Sequence, residues 1–378
     1  MIDFFNPRSL ICFIALLQGV VFIALLVRRG RRDGTRADYW LALLLFLLCS
    51  ALVTPFIGFA GVYDANPWLT YFPFGVYYAT GVAIWLYTRD LTDARREFSP
   101  KELLLFVPAV VYLGARLFLF AHGVEWKNDF EDRYGRLFES TVFLTEFLWN
   151  LVFLSLAIRH YRKYRRWLDD NFSDTERIKF DWLRNFLYVF TVVYVLGAVF
   201  DFTNNFVFHL SYVQYFYFEV VLALATYYLA LAGYLRSRTI DVRFRPAPPE
   251  TEDAARRAVL SDDELERLKR RLETLMRDEK IYREPQLTLG ELAKKLGVNT
   301  SALSYAINRG FGRNFNDFVN EFRIREVCET LARERRRSLL DVAFACGFNS
   351  KATFNRAFRK FTGRAPKEFQ ETAAAGPE

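Results

Sequence analysis

Hydropathy divides this chain into two parts that require different solvents. Up to about Leu235 it is built of long apolar blocks with few charges; beyond that point charged residues recur every few positions and no apolar run exceeds a turn or two. A helix needs about 20 mostly apolar residues to cross the hydrocarbon core of a bilayer, because each residue rises only about 1.5 Å. Seven stretches in the first part meet that requirement: Ser9 to Val27, Tyr39 to Ala60, Trp68 to Thr88, Leu103 to Ala121, Ser140 to Ile158, Asn185 to Phe202 and Val213 to Leu235. Backbone groups in lipid must be satisfied internally, which leaves helices or a closed barrel, and the unbroken apolar runs exclude a barrel's alternation. Residues 1–238 are therefore expected to form a seven-helix transmembrane bundle with the lipid bilayer as partner.

Orientation follows from Lys and Arg, which accumulate in short cytoplasmic loops. The first loop carries Arg28, Arg29, Arg31, Arg32 and Arg36, and the third Arg89, Arg95, Arg96 and Lys101. The fifth carries Arg159, Arg162, Lys163, Arg165, Arg166, Arg177, Lys179 and Arg184. Loops Gly61 to Pro67 and Thr203 to Tyr212 have none, and His122 to Glu139 offsets its cations with acids. Odd loops are thus expected in the cytoplasm, with the N-terminus outside and the C-terminus inside. The first segment lacks a basic leader beyond Arg8 and is followed by arginines instead of a cleavage site, so it reads as a retained anchor. Trp40, Tyr63, Trp68, Tyr71, Tyr161 and Trp182 suit interfacial belts.

Ionisable and amide groups at membrane depth cost several kcal/mol unless they face a partner or a wet cavity. Five stand out: Arg116, Glu146 and Asn150 one turn apart, Asp201 and Glu219. They point to a site for an unknown small ligand or membrane signal, against the plainer reading of hydrogen bonds that lock the bundle. Cys12, Cys49, Cys328 and Cys346 lack the spacing of a metal or redox motif and read as small buried hydrophobes. The three histidines, His122, His160 and His209, lie in no kinase-like hairpin, and no phosphate-binding glycine loop is found, so neither an enzyme nor a cofactor is expected.

Residues 239–260 read as a linker stiffened by Pro246, Pro248 and Pro249. Ser261 and Glu264 stand as a capping box, and Leu265, Leu268, Leu272 and Leu275 follow on one face, which predicts an amphipathic signalling helix over 261–280. It serves either packing on the next domain or dimerisation.

Residues 281–371 contain the same break twice. In the first unit a short helix with Leu292, Ala293 and Leu296 ends at Gly297, and a second starts near Thr300 with Leu303 and Ile307 inward. In the second, Val342 and Ala343 are inward, Gly347 turns, Ser350 caps, and Phe354 and Phe358 face the core. This is a pair of helix-turn-helix units. The 3.6-residue period turns Ser301, Ser304, Tyr305 and Asn308 outward on one recognition helix. Lys351, Asn355, Arg356 and Arg359 face out on the other, with Ser350, Thr353 and Lys360 completing the face. Arg and Lys donate to guanine, Asn pairs with adenine, and hydroxyls serve bases or phosphates, so double-stranded DNA is the expected partner. A connecting helix over Asn316 to Glu334 spans about 28 Å, near one turn of duplex. Seventeen Lys and Arg against ten Asp and Glu over 281–371 leave +7 of the chain's net +8 in this domain.

The stretch GFNSKATFNRAFRKFTGRAP resembles the signature of AraC/XylS-type bacterial transcription regulators, and the preceding residues look like the membrane-anchored variety of that family. The resemblance covers about a quarter of the chain. It implies DNA contact by Ser301, Ser304, Tyr305, Lys351, Asn355 and Arg356, and a multi-pass protein of the bacterial inner membrane that regulates transcription directly. Two units per chain suffice for binding as a monomer, while the signalling helix permits a homodimer. The competing expectation is a receptor or transporter-like protein whose helical tail acts by protein contact. Residues 372–378 read as a disordered tail.

Overall fold

Long apolar runs without the two-residue alternation of a strand satisfy their amides by coiling. The computed structural model describes residues 3, 4, 6–69, 71–93, 97–176, 178, 180–236, 260–334 and 337–375. Among these no strand forms; a single antiparallel bridge joins Phe172 to Thr288. The proline-containing linker, apart from Leu260, lies outside the described residues. The chain divides into two units, Met1–Arg162 with Phe180–Arg243, and Lys163–Lys179 with Phe244–Glu378.

In the first unit, α1 (Pro7–Asp33) and α2 (Arg36–Phe59) form an antiparallel hairpin turned by Gly34. Its two ends are pinned by polar contacts. Ser9 donates to the Phe56 carbonyl at 2.8 Å, and Arg29 donates to both Asp38 oxygens at 2.8 and 2.5 Å. Arg29 also reaches the Tyr234 carbonyl on α9 (Tyr212–Arg236), so one guanidinium ties three helices together. After a single turn, α3 (Val62–Ala65), come α4 (Tyr78–Thr92), α5 (Val107–Phe120), α6 (Val124–Phe130), α7 (Arg136–Asn171) and α8 (Asp181–Phe202).

Six helical stretches among the described residues are long and apolar enough to cross a membrane, not seven. The missing one is the third: Trp68 to Thr88 is not a continuous helix. Residues 72–76 are non-helical around Pro73 and Gly75, and α4 has 15 residues, about 22 Å. From Gly81 onward α4 is almost wholly buried, so it is sheathed by protein. Gly81 permits this, because its amide donates to Asn150 Oδ1 at 2.8 Å and a Cβ there would lie 2.9 Å from the Asn150 Cα. Arg89, expected as a loop cation, is instead buried and pairs bidentately with Glu102 at 2.8 Å, while also bonding Asp90.

In the second unit, α10 (Asp262–Asp278) begins at the expected Ser261–Glu264 capping box. It buries Leu268, Leu272 and Met276 against the first helix-turn-helix, so this helix packs on its own domain. That unit is α11 (Leu289–Leu296) and α12 (Thr300–Phe311); the second is α14 (Leu339–Ala345) and α15 (Lys351–Thr362). Between them α13 (Phe315–Arg333) gives Phe315, Phe318 and Val319 to the first core, and Ile324, Val327 and Leu331 to the second. The closing α16 (Pro366–Ala375) runs four residues past the expected end of the domain, so 372–375 are helix and not a disordered tail. A second boundary also moves. The acidic end of loop five, expected within the 1–238 domain, packs with the C-terminal residues because Ser173 is buried there and its amide donates to the Leu287 carbonyl at 3.1 Å.

Candidate nucleic-acid interface and buried polar cavity

Each recognition helix is started by a side chain that satisfies an otherwise orphan amide. Asn299 Oδ1 accepts from the Ala302 amide at 2.7 Å, and Ser350 Oγ accepts from the Thr353 amide at 3.2 Å. The turns before them hold Gly297 at φ 66° and Gly347 at φ 95°. The second has a further constraint, since a Cβ on Gly347 would meet the Tyr282 carbonyl oxygen at 2.6 Å. Leu303, Ile307, Phe354 and Phe358 are buried, as their periodicity predicts.

With those inward positions fixed, Ser301 and Asn308 are exposed and Ser304 and Tyr305 half-buried on α12. On α15, Lys351, Arg356, Arg359 and Lys360 are exposed and Ser350 and Asn355 half-buried. Thr353 departs from expectation. It is only 3% exposed, because Asp174 covers it and accepts from its hydroxyl at 3.2 Å. Two neighbouring cations are also held by carboxylates: Arg356 ion-pairs with Glu176, and Lys360 with Asp317 at 2.6 Å. These acids lay outside the sequence reading. The only signal for Asp174 and Glu176 was an acidic interruption in an otherwise basic loop.

Behind this face lies Arg323 of α13, fully buried and hydrogen-bonded to carbonyl, amide and hydroxyl oxygens. Its guanidinium donates to the carbonyls of Tyr282 at 2.6 Å and Glu284 at 2.7 Å, to Asn320 Oδ1 at 3.2 Å and to Ser173 Oγ at 3.3 Å. Burial lowers its pKa to about 10, so it remains charged at neutral pH. One turn on, Glu326 is also largely buried, which would raise its pKa. Hydrogen bonds from Arg283 and from Lys280 override that and hold it at about 2.

In the first unit all five polar candidates line one cavity of about 370 Å³ between α2, α4, α5, α7, α8 and α9. Asn150 is the best anchored: its amide donates to Glu146 at 2.6 Å and to the Tyr77 carbonyl at 3.2 Å. Asp201 accepts from Tyr215 at 3.2 Å. Arg116 pairs with Glu139 at 2.7 Å, which lies in the first turn of α7 and not in the predicted loop, and Arg116 lies over the Tyr71 ring. Glu219 Oε2 is buried with no hydrogen-bond partner among the described residues. Aromatic side chains, among them Tyr77, Phe147, Tyr194 and Phe218, form much of the remaining wall.

Residues 292–372 match the helix-turn-helix domain family. The probable transcription factor PqrA of Proteus vulgaris is 30% identical over 91 residues, 24% of this chain and 74% of that protein. The chain belongs to the AraC-type family of helix-turn-helix transcription regulators. An HTH-type transcriptional regulator of Staphylococcus aureus strain COL, SACOL0084, is 33% identical over 84 residues, 22% of this chain and 11% of that protein. The chain thus spans about a tenth of the staphylococcal relative's length. A solved structure of a protein of unknown function from Listeria innocua aligns over 28% of this chain and 95% of its own length, with 23% identity and a TM-score of 0.25.

The AraC-type signature is here largely a set of structural positions. Gly347 makes the turn, Phe348, Phe354 and Phe358 fill the core, Ser350 caps α15, Gly363 ends it at φ 73°, and Pro366 opens α16. The positions between them, Lys351, Asn355, Arg356 and Arg359, carry the polar surface of this AraC-type domain.

Proposed function

We propose that the chain is a membrane-embedded one-component transcription regulator in which a signal received by the first unit controls duplex binding by the second. The observation that carries the reading is the pairing, within one chain, of two formed recognition helices with a cavity that five polar candidates line, between helices most of which are of membrane-spanning length. Ser301, Ser304, Tyr305, Lys351, Asn355, Arg356 and Arg359 are the proposed base and phosphate contacts, with Lys351, Arg356 and Arg359 supplying most of the charge. The proposed ligand is small, fits about 370 Å³ and engages Arg116, Glu146, Asn150, Asp201 and Glu219.

The proposed site is the bacterial inner membrane, with the double helix-turn-helix in the cytoplasm and the N-terminus outside. Loop charges call for a crossing between residues 61–67 and Lys101. The short α4 with its non-helical lead makes that crossing, since irregular backbone at membrane depth is tolerated where protein surrounds it. A reporter fused to either end checks both assignments. No second copy is needed, because one chain carries both reading helices.

The test uses full-length protein in detergent. It should shift duplex DNA with a steep salt dependence, and Arg356→Ala should weaken one half-site by about 1–3 kcal/mol. In cells, Glu219→Gln or Glu146→Gln should alter transcriptional output while the protein still inserts normally. Unchanged output from both variants removes the sensing role of the cavity.

A further inference from the structure

We infer that residues Phe172 to Glu176 are a built-in competitor for the second recognition helix, an acidic strap that occupies Thr353 and Arg356 in place of duplex. The inference rests on the reading that α15 binds DNA, and adds how that binding is held off.

The strap is seated by its backbone. Asn316 on α13 donates to the carbonyls of Phe172 and Ser173 at 3.0 and 2.9 Å. Asn320 reaches the Ser173 carbonyl at 3.4 Å, and Arg323 reaches the Ser173 hydroxyl at 3.3 Å. The Ser173 amide donates to Leu287, and Ser173 and Thr175 are 0% and 6% exposed. Such a seat fixes where the next side chains fall. Asp174 accepts from the Thr353 hydroxyl and Glu176 pairs with Arg356, so two carboxylates stand where phosphate or base acceptors would be received.

Glu176 holds a terminal nitrogen of the Arg356 guanidinium that a bidentate base contact would use, and carboxylates on this face repel the phosphate backbone. Duplex therefore engages Thr353 and Arg356 fully only after the strap has left. Lys351 and Arg359 remain exposed, so the occlusion is of part of the face and is reversible in principle. The strap follows directly on α7, the helix that also carries Glu146 and Asn150. It is thus the stretch of chain through which a change in that helix would first be felt.

The experiment measures binding of a short duplex of random sequence at low salt by the full chain in detergent. Asp174→Asn with Glu176→Gln should bind about tenfold more tightly than the native protein, equivalent to about 1.4 kcal/mol. Asn316→Ala changes no charge but removes two of the hydrogen bonds that seat the strap, and should tighten binding in the same direction. If the native chain and both variants bind equally, the strap is no competitor. If only the double variant tightens, the acids act by simple charge and the docked strap is refuted. If no form binds duplex at all, the DNA-binding reading falls and this inference with it.

Discussion

Replacing Arg323 by Leu tests whether one buried guanidinium holds the two helix-turn-helix units and the loop-five segment as a single body. The side chain is fully buried, and its two shortest bonds go to the carbonyls of Tyr282 and Glu284. Leucine leaves both acceptors without that donor. A buried unsatisfied acceptor costs about 1–3 kcal/mol; taking about 2 for the deeply buried Tyr282 carbonyl and about 1 for the half-buried one gives about 3 kcal/mol. Loss of the contact over the Phe348 ring adds to this, and relief from desolvating a charge subtracts from it. At about 1.4 kcal/mol per tenfold, amides of α13 should exchange with deuterium about 100-fold faster in full-length protein. Exchange within about threefold of native at those amides would show that apolar packing alone carries the domain.

The remaining expectations are independent of it. Gly81→Ala should lower the melting temperature in detergent through overpacking of about 1–3 kcal/mol, since the new methyl meets the α7 backbone at Asn150. Arg89→Gln removes the buried cation that Glu102 and Asp90 share and should cost about 3–5 kcal/mol, while adding Glu102→Gln should recover part of the loss in the same melt. Glu326 is depressed to about 2 in the folded chain, so its contribution is complete above the ordinary carboxylate range and is lost as pH falls toward 2. Melts of the native protein and Glu326→Gln should therefore diverge at neutral pH and converge near pH 2.

Much of the second unit was legible in the sequence because its rules are local. Inward Leu303, Ile307, Phe354 and Phe358, the turns at Gly297 and Gly347 and the Ser350 cap each follow from spacing within a few residues. Arg116, Glu146, Asn150, Asp201 and Glu219 stand out in the sequence as polar groups on apolar helices, and all five line one cavity. The length of α4 was not legible, because hydropathy alone registers neither the break at Pro73 and Gly75 nor the protein that sheathes the helix.

The sequence alone determined the division into an apolar and a polar part, the helical class and the residues of each recognition helix, since these depend on hydropathy and on a period of 3.6 residues. Tertiary structure alone decided what those residues face. Asp174 and Glu176 lie far from Thr353 and Arg356 along the chain, and no periodicity relates them. Their pairing exists only because Asn316, Asn320 and Arg323 on one helix offer donors to the backbone of a distant loop.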